Sequence, residues 1–188
     1  VLKATHGSGW NYVCHNKNKT SWRPWKLMMK SWLKNNIFWD GREWVYKDTT
    51  PRIICEKYLE DSGGGLRDYK FFCFHGEPRF IQANSGRGGE AHAQNFYDLN
   101  WALQPFGKDL VPRPDISISK PQSLERMVEI ARDLCSPFSF VRADFYEVEG
   151  RVIFGELTFF PASGMPDFRP PEYDATIGEM WALPTKNI

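Results

Sequence analysis

The chain has no apolar run near the roughly 20 residues a helix needs to cross a bilayer, which excludes a helical membrane span. It also lacks a dominant charge. With 24 Lys and Arg against 23 Asp and Glu, the formal net charge is +1, so no global field draws it to nucleic acid, and a nucleic-acid partner is not expected. Cysteine is sparse. Cys14, Cys55, Cys73 and Cys135 form no Cys-x-x-Cys pair, which removes zinc ribbons and redox dithiols from consideration. Cys55 and Cys73 lie in apolar strand-like runs and are expected as small buried hydrophobes. Thiols of this kind suit a reducing cytosol, the expected location. His6, His15, His75 and His92 are dispersed, with no pair at ligand spacing. There is no internal repeat and no low-complexity segment, and no signal peptide is expected in it. The chain opens on Val1-Leu2-Lys3-Ala4-Thr5, already a strand pattern, so we expect it to be the C-terminal portion of a longer protein.

What is present describes a globular protein. The 188 residues suffice for one large domain or two small ones, and 41% are hydrophobic and 15% aromatic, with eight Trp. Residues 1–5 and 11–14 read as short strands around His6-Gly7-Ser8-Gly9-Trp10. Residues 22–35 predict a helix capped by Thr20 or Ser21, with Trp22, Trp25, Met28, Met29, Trp32 and Leu33 at helical spacing. The segment from Lys17 to Lys34 holds six basic residues and no acidic one. Such a helix could lie on an anionic membrane, but packing its Trp stripe on a sheet is the favoured reading. Residues 51–59 read as a strand, followed by the Gly-rich link from Asp61 to Gly65. Residues 68–75 and 78–83 predict a hairpin around Gly76-Glu77, and 84–94 a loop. Residues 121–135 predict a helix with Pro121 in its first turn and a buried stripe of Leu124, Met127, Val128, Ala131 and Leu134. The tail is Pro-rich and is expected to be irregular. Helices and hairpins in this mixture point to an α+β fold with mostly antiparallel sheets.

The most informative stretch runs from Val141-Arg142-Ala143-Asp144-Phe145-Tyr146 to Gly155-Glu156-Leu157-Thr158. The turn signal ending in Gly150 makes it a hairpin, and strand side chains two apart share a face. A three-residue loop, Val148 to Gly150, would put Arg142 opposite Glu156 and Asp144 opposite Phe154. Arg142, Asp144, Glu156 and Thr158 would then share one face, and Val141, Ala143, Phe145, Ile153, Leu157 and Phe159 the other. A two-residue loop, Glu149-Gly150, would split the two carboxylates across opposite faces. The even division of polar and apolar residues favours the first register. A face of this kind either carries solvated charges or holds divalent metal and phosphate.

Other signals have equally plain alternatives. Lys3 with Gly7-Ser8-Gly9 offers an ammonium and loop N–H groups to a phosphate, or is a simple hairpin turn. It is neither a Walker A loop nor a nucleophile elbow. Glu56-Lys57-Tyr58-Leu59-Glu60-Asp61 offers strand-end backbone and a carboxylate to an adenine edge and a ribose diol, or is a strand end with solvated charges. Lys70 either meets a phosphate or is one polar residue of an alternating strand.

The order of these motifs resembles the ATP-grasp fold, as in the D-alanine–D-alanine ligases. Pro51-Arg52-Ile53-Ile54, Glu56-Lys57-Tyr58-Leu59, Asn95-Phe96-Tyr97-Asp98, Val141 to Tyr146 and Phe154 to Phe159 resemble the TupA-like ATP-grasp family, associated with bacterial cell-surface polymer synthesis. The resemblance implies two α+β subdomains gripping a nucleotide, at residues 1–58 and 59–188, with a preceding domain absent and this portion inactive alone. It implies ATP and Mg²⁺ as cofactors. Lys3 and the Gly7, Ser8, Gly9 loop would meet the phosphates; Glu56, Lys57, Tyr58 and Leu59 would read adenine through their backbone; Glu60 or Asp61 would hold the ribose. Lys70 and Arg142 would face the γ-phosphate, and Asp144, Glu156 and Thr158 would hold the metal. Thr158 stands where many ATP-grasp enzymes carry Asn. Ser163 and Gly164 would lie near a small-molecule or polymer acceptor, and Arg87, Glu90 and His92 are candidates for binding it. The implied activity is an ATP-dependent carboxylate–amine ligase, with a sugar or polyol kinase on the same fold, or a non-catalytic nucleotide- or glycan-binding module, as alternatives. Peripheral association with the membrane or with glycosyltransferases is a further expectation.

Overall fold

The structure is a computed structural model and describes residues 1–60, 66–85, 93–108 and 113–181. Asp61, Arg87, Glu90 and His92 lie outside the described residues. The chain divides into two compact units, Val1–Leu59 and the part from Glu60 onward. Each has its own antiparallel sheet, and the fold is mixed α+β.

In the first unit, β1 (Leu2–Ala4) lies between β2 (Asn11–Tyr12) and β3 (Ile53–Cys55), all shorter than the sequence pattern predicts. The helix α1 (Trp22–Trp32) turns Trp22, Trp25, Met29 and Trp32 inward, and Tyr12 of β2 stacks on Trp25 at 3.6 Å between ring centroids. Met28 and Leu33, expected in that stripe, are exposed: Met28 lies at the edge of the stripe, and Leu33 is the C-cap, past the last helical residue. His6, fully buried, ties this layer together. Its Nε2–H donates to the Trp32 carbonyl at 2.7 Å, and its Nδ1 accepts the Arg52 N–H at 3.3 Å. A short helical turn, α2 (Phe38–Gly41), follows. Cys55 is exposed rather than buried, since β3 is an edge strand.

The second unit is built on a five-stranded sheet. Its strands are β4 (Asp68–Phe74), β5 (Glu77–Ser85), β6 (Ala93–Tyr97), β7 (Phe140–Val148) and β8 (Arg151–Thr158), in the order β6-β5-β4-β7-β8. The β4–β5 turn is His75-Gly76, one residue earlier than the sequence suggests; both have left-handed backbones (φ 50° and 81°), as a two-residue hairpin turn requires.

Both faces of this sheet are covered in part. On one, Tyr69, Phe71, Val141, Ala143 and Phe145 pack against the helix α3 (Leu124–Cys135) through Leu124, Met127, Ala131 and Cys135. Cys135 takes the inward position expected of Leu134, which is exposed. Cys73 and Cys135 are free and buried together; the hydrogen bond between them, and then burial, raise the Cys73 thiol far above its ordinary range, so it stays protonated. Helix α3 starts at Leu124 rather than Pro121, and Glu147 of β7 accepts the Gln122 and Ser123 N–H groups just ahead of it at 3.2 and 2.7 Å. On the other face, Phe72, Phe74, Phe80, Phe96 and Phe106 form a second cluster with Ile177. Ile177 belongs to α4 (Glu172–Glu179), a helix in the tail that the Pro-rich sequence conceals.

The β7–β8 register corrects the predicted one. The loop has two residues, Glu149 (φ 50°) and Gly150 (φ 72°), with Val148 opposite Arg151. Alone, that register would send the two carboxylates to opposite faces. A bulge between Asp144 and Phe145 shifts the ladder, leaving Gly155 as the extra residue, so Asp144 stands directly opposite Glu156 and Arg142 opposite Thr158. Carboxylate cofacing therefore holds, by a different route, and Val152 rather than Ile153 packs on the α3 core. A Cβ at Gly155 would lie 2.9 Å from the Asp144 carbonyl oxygen, so the bulge has room for glycine alone. Gly155→Val is expected to destabilise the protein by about 1–3 kcal/mol through backbone displacement, seen as a lower denaturant midpoint in urea unfolding.

Candidate functional site

On the β-sheet face opposite α3, alternation places Asp68 and Lys70 of β4 beside Arg142 and Asp144 of β7 and Glu156 and Thr158 of β8. Lys70 stands opposite Asp144, which stands opposite Glu156; one row further along, Phe72, Arg142 and Thr158 align. Gln82 of β5 continues the first row beyond Lys70.

These side chains form one connected chain of charge. Asp144, 3% exposed, accepts Arg142 Nε on Oδ1 and Arg142 Nη2 on Oδ2, both at 2.7 Å, and Lys70 Nζ on Oδ2, also at 2.7 Å. The guanidinium fork thus grips the carboxylate bidentately, the strongest of the charge-assisted geometries. Lys70 also reaches Asp68 Oδ2 at 2.5 Å, and Asn84 Nδ2 approaches Asp68 Oδ1 at 3.4 Å. From Arg142 the chain runs outward: Nη2 donates to Thr158 Oγ1 at 3.0 Å, and Thr158 Oγ1–H donates to Glu156 Oε1 at 2.9 Å. The Glu156 side chain is 64% exposed and lies 3.6 Å from Arg142 Nη2. The cluster therefore has a buried end at Asp68 and Asp144 and an open end at Glu156.

Three carboxylates face two cations here, an excess of negative charge that favours a further cation. The donors are hard oxygens, which suit Mg²⁺. Among the described residues no group of three or more His, Cys, Asp or Glu is arranged to hold an ion by itself. Mg²⁺ commonly takes only one or two carboxylates and completes its shell with water and substrate phosphates. The opposed Asp144 and Glu156, with Thr158 between Glu156 and Arg142, fit that limited role.

The other residues singled out in the sequence, apart from Glu60, Ser163 and Gly164, belong to the first unit. Lys3 Nζ pairs with Glu56 Oε2 at 2.5 Å, with both side chains partly exposed. Gly7 lies under the Trp10 indole, where a Cβ would come within 2.4 Å of the ring, and Gly9 has a left-handed backbone (φ 72°). Ser8 is exposed. Lys57 and Glu60 are exposed without regular structure, Leu59 is partly buried, and Tyr58 meets His15 edge-on at 5.0 Å. Ser163 and Gly164 lie in the turn Pro161–Gly164 after β8, where Ala162, Ser163 and Gly164 all have left-handed backbones.

Sequence reasoning missed Asp68, although its place two residues before Lys70 marks it for the same face. It also missed the amide row Gln82, Asn84 and Gln94, all buried on the neighbouring strands, with Gln94 Oε1 the buried side-chain atom lacking a hydrogen-bond partner among the described residues. Their signal, a polar residue at every second position of 82–84, is too short to separate from an exposed edge.

The family model of TupA-like ATP-grasp proteins matches residues 1–182. No curated protein and no solved structure matches the chain.

The gradient of burial across the cluster separates stability from surface chemistry. Asp144→Ala removes the carboxylate that Arg142 and Lys70 share, leaving Lys70 with Asp68 and Arg142 with Thr158 and Glu156, and is expected to cost about 3 kcal/mol. Glu156→Gln, at the open end, is expected to cost under about 1 kcal/mol. Chemical denaturation of both variants checks the contrast.

Proposed function

The chain belongs to the TupA-like ATP-grasp family, and on that premise we propose that it is the ATP-handling part of an ATP-dependent carboxylate–amine ligase serving cell-surface polysaccharide synthesis. The observation that carries this reading is the directly opposed Asp144–Glu156 pair with Arg142 and Lys70 on the same face. Carboxylates beside paired cations are what phosphoryl transfer needs, because its catalysis is chiefly positioning and charge neutralisation.

In this reading Asp144 and Glu156, with Thr158, hold Mg²⁺, which supplies Lewis-acid neutralisation of phosphate oxygens when bound. Lys70 and Arg142 orient the γ-phosphoryl group and offset its charge. Lys3 and the Gly7–Gly9 loop hold the remaining phosphates, residues 56–59 present backbone groups to the base, and Glu60 or Asp61 holds the ribose. A substrate carboxylate oxygen forms a bond to the γ-phosphorus as the bond to the β-phosphate oxygen breaks, giving an acylphosphate and ADP. An amine nitrogen then bonds to the acyl carbon, phosphate leaves, and the nitrogen gives up a proton. Ser163 and Gly164, five and six residues beyond the end of β8, meet the acceptor in this reading.

Two measurements test the proposal. Mg-ATP at millimolar concentration is expected to raise the melting temperature of the protein; no shift would count against nucleotide binding. Glu156→Gln is expected to abolish Mg²⁺-dependent phosphate release while the protein stays folded, and wild-type turnover by that variant would sink the metal assignment. Product analysis decides the reaction class: free phosphate with an amide marks the ligase, and a phosphorylated acceptor marks a kinase instead.

A further inference from the structure

The near-zero net charge conceals a division between the two units. Residues 1–59 carry eleven Lys and Arg against four Asp and Glu, while the rest of the chain is net acidic. Within the first unit the excess is concentrated from Lys17 to Lys47, with eight basic residues and two acidic ones. Arg23, Lys26, Lys30 and Lys34 are all exposed, and none of the four makes an ion pair among the described residues. Charge asymmetry of this kind marks a surface for a polyanionic partner.

The same segment exposes apolar side chains that its own packing does not use. The Trp stripe of α1 is turned inward, so the stripe is not the surface in question. Leu27, 62% exposed, points away from that stripe, with Arg23 one turn before it and Lys30 one turn after it on the same side. Beyond α1, Trp39 of α2 and Trp44 of the following turn (Trp44–Tyr46) are 66% and 63% exposed. Both rings meet the buried Phe38 edge-on, at 5.2 and 5.5 Å between centroids, which holds them as one aromatic knob. Arg42 lies over the Trp39 ring at 5.1 Å and Lys47 over the Trp44 ring at 4.6 Å. Asn36 fastens the two turns together, its Nδ2 donating to the Tyr46 and Lys47 carbonyls at 2.9 and 3.1 Å.

We propose that this basic and aromatic surface of the first unit docks on an anionic phospholipid bilayer. Stable peripheral attachment takes two signals, apolar insertion and electrostatic attraction, and this segment supplies both. Indoles are favoured at the head-group level, where an apolar ring and a polar N–H are satisfied together. Each Lys or Arg close to an anionic leaflet strengthens binding about fivefold. The exposed Leu27, Met28 and Val45 gain from lipid and offer nothing to a nucleic acid. The indole faces covered by Arg42 and Lys47 are likewise withdrawn from base stacking. The surface belongs to a different unit from the charge cluster on β4, β7 and β8, and its lipid binding does not depend on the nucleotide reading.

Co-sedimentation of the chain with vesicles tests the proposal, comparing phosphatidylcholine alone with an equimolar mixture of phosphatidylcholine and phosphatidylglycerol. The mixed vesicles are expected to bind at least about tenfold more tightly. Raising salt from about 0.1 M to about 1 M, which shortens the Debye length from about 10 to about 3 Å, is expected to remove most of that preference. Combining Lys26→Gln, Lys30→Gln and Lys34→Gln is expected to weaken binding to the mixed vesicles at least about tenfold. Trp39→Ser with Trp44→Ser is expected to weaken it and to reduce the blue shift of Trp emission that vesicles produce. Circular dichroism identifies any variant that has lost its fold. The three lysine side chains are exposed, so that variant keeps the test decisive if the Trp pair does not fold. Equal binding to both vesicle types, binding to neither, or binding unchanged by the lysine variant overturns the proposal. A concentration-dependent dimer, or a complex with soluble polyglutamate, formed without vesicle binding also overturns it and assigns the surface to a protein partner.

Discussion

The second unit depends on one carboxylate. Asp144 sits almost wholly inside the sheet face and receives three charge-assisted hydrogen bonds, two from Arg142 and one from Lys70. An isolated ion at that depth would be prohibitively costly. Because both partners come from fixed strand positions, the requirement to satisfy Asp144 reaches across three strands at once. It fixes the pairing of β4 with β7 and, through Arg142, Thr158 and Glu156, of β7 with β8. Buried ion clusters of this kind add little net stability over an apolar replacement. Their effect is on arrangement: a slip of one residue would turn Asp144 into the α3 core, away from Lys70.

The same sheet explains why charge is confined to one end of the face. Beyond Phe72 the alternating positions become aromatic, and Phe74, Phe80, Phe96 and Phe106 pack with α4 through Ile177. On the opposite face, β4 and β7 present an apolar cluster to α3. The polar rows are thus bordered by an apolar floor and an aromatic shoulder. This arrangement lowers the local dielectric around Lys70 and Asp144 and strengthens each of their interactions.

Much of this was legible in the sequence because strand alternation is a local rule. The sharing of a face by Arg142, Asp144, Glu156 and Thr158, the stripe of α3, and the inward Trp22 and Trp25 of α1 all follow from a period of two or of 3.6. Three features did not follow. Asp68 joins the cluster by the same alternation, yet its strand partners Phe71 to Phe74 read as plain core, so nothing marked it as functional. Helix α4 is short and preceded by Pro170 and Pro171, which read as a break rather than a start. Cys55 looked buried from its apolar neighbours Ile53 and Ile54, but edge position is a property of topology, which no local window contains.

The register of the β7–β8 hairpin shows most clearly where local reading ends. The polar division of the two strands required the carboxylates to share a face, and the only regular hairpin that does so has a three-residue loop. The chain instead uses the two-residue turn favoured by two left-handed residues, Glu149 and Gly150. It then recovers the face with a bulge at Gly155, where the backbone of Asp144 approaches too closely for any side chain. Two glycines with different duties, one closing the turn and one admitting the bulge, together produce what one loop residue would have done. The bulge also tightens the local twist beside the site, and it leaves Glu156, the next residue, pointing out at the open end of the cluster. The regular ladder of a three-residue loop would have set Glu156 opposite Arg142, as the sequence suggests. The bulged one sets it opposite Asp144, so that two carboxylates, rather than a carboxylate and a guanidinium, meet across the strands. That juxtaposition is unfavourable by itself and is tolerated because Arg142 and Lys70 already hold Asp144. The opposed pair is what gives the face its demand for added positive charge.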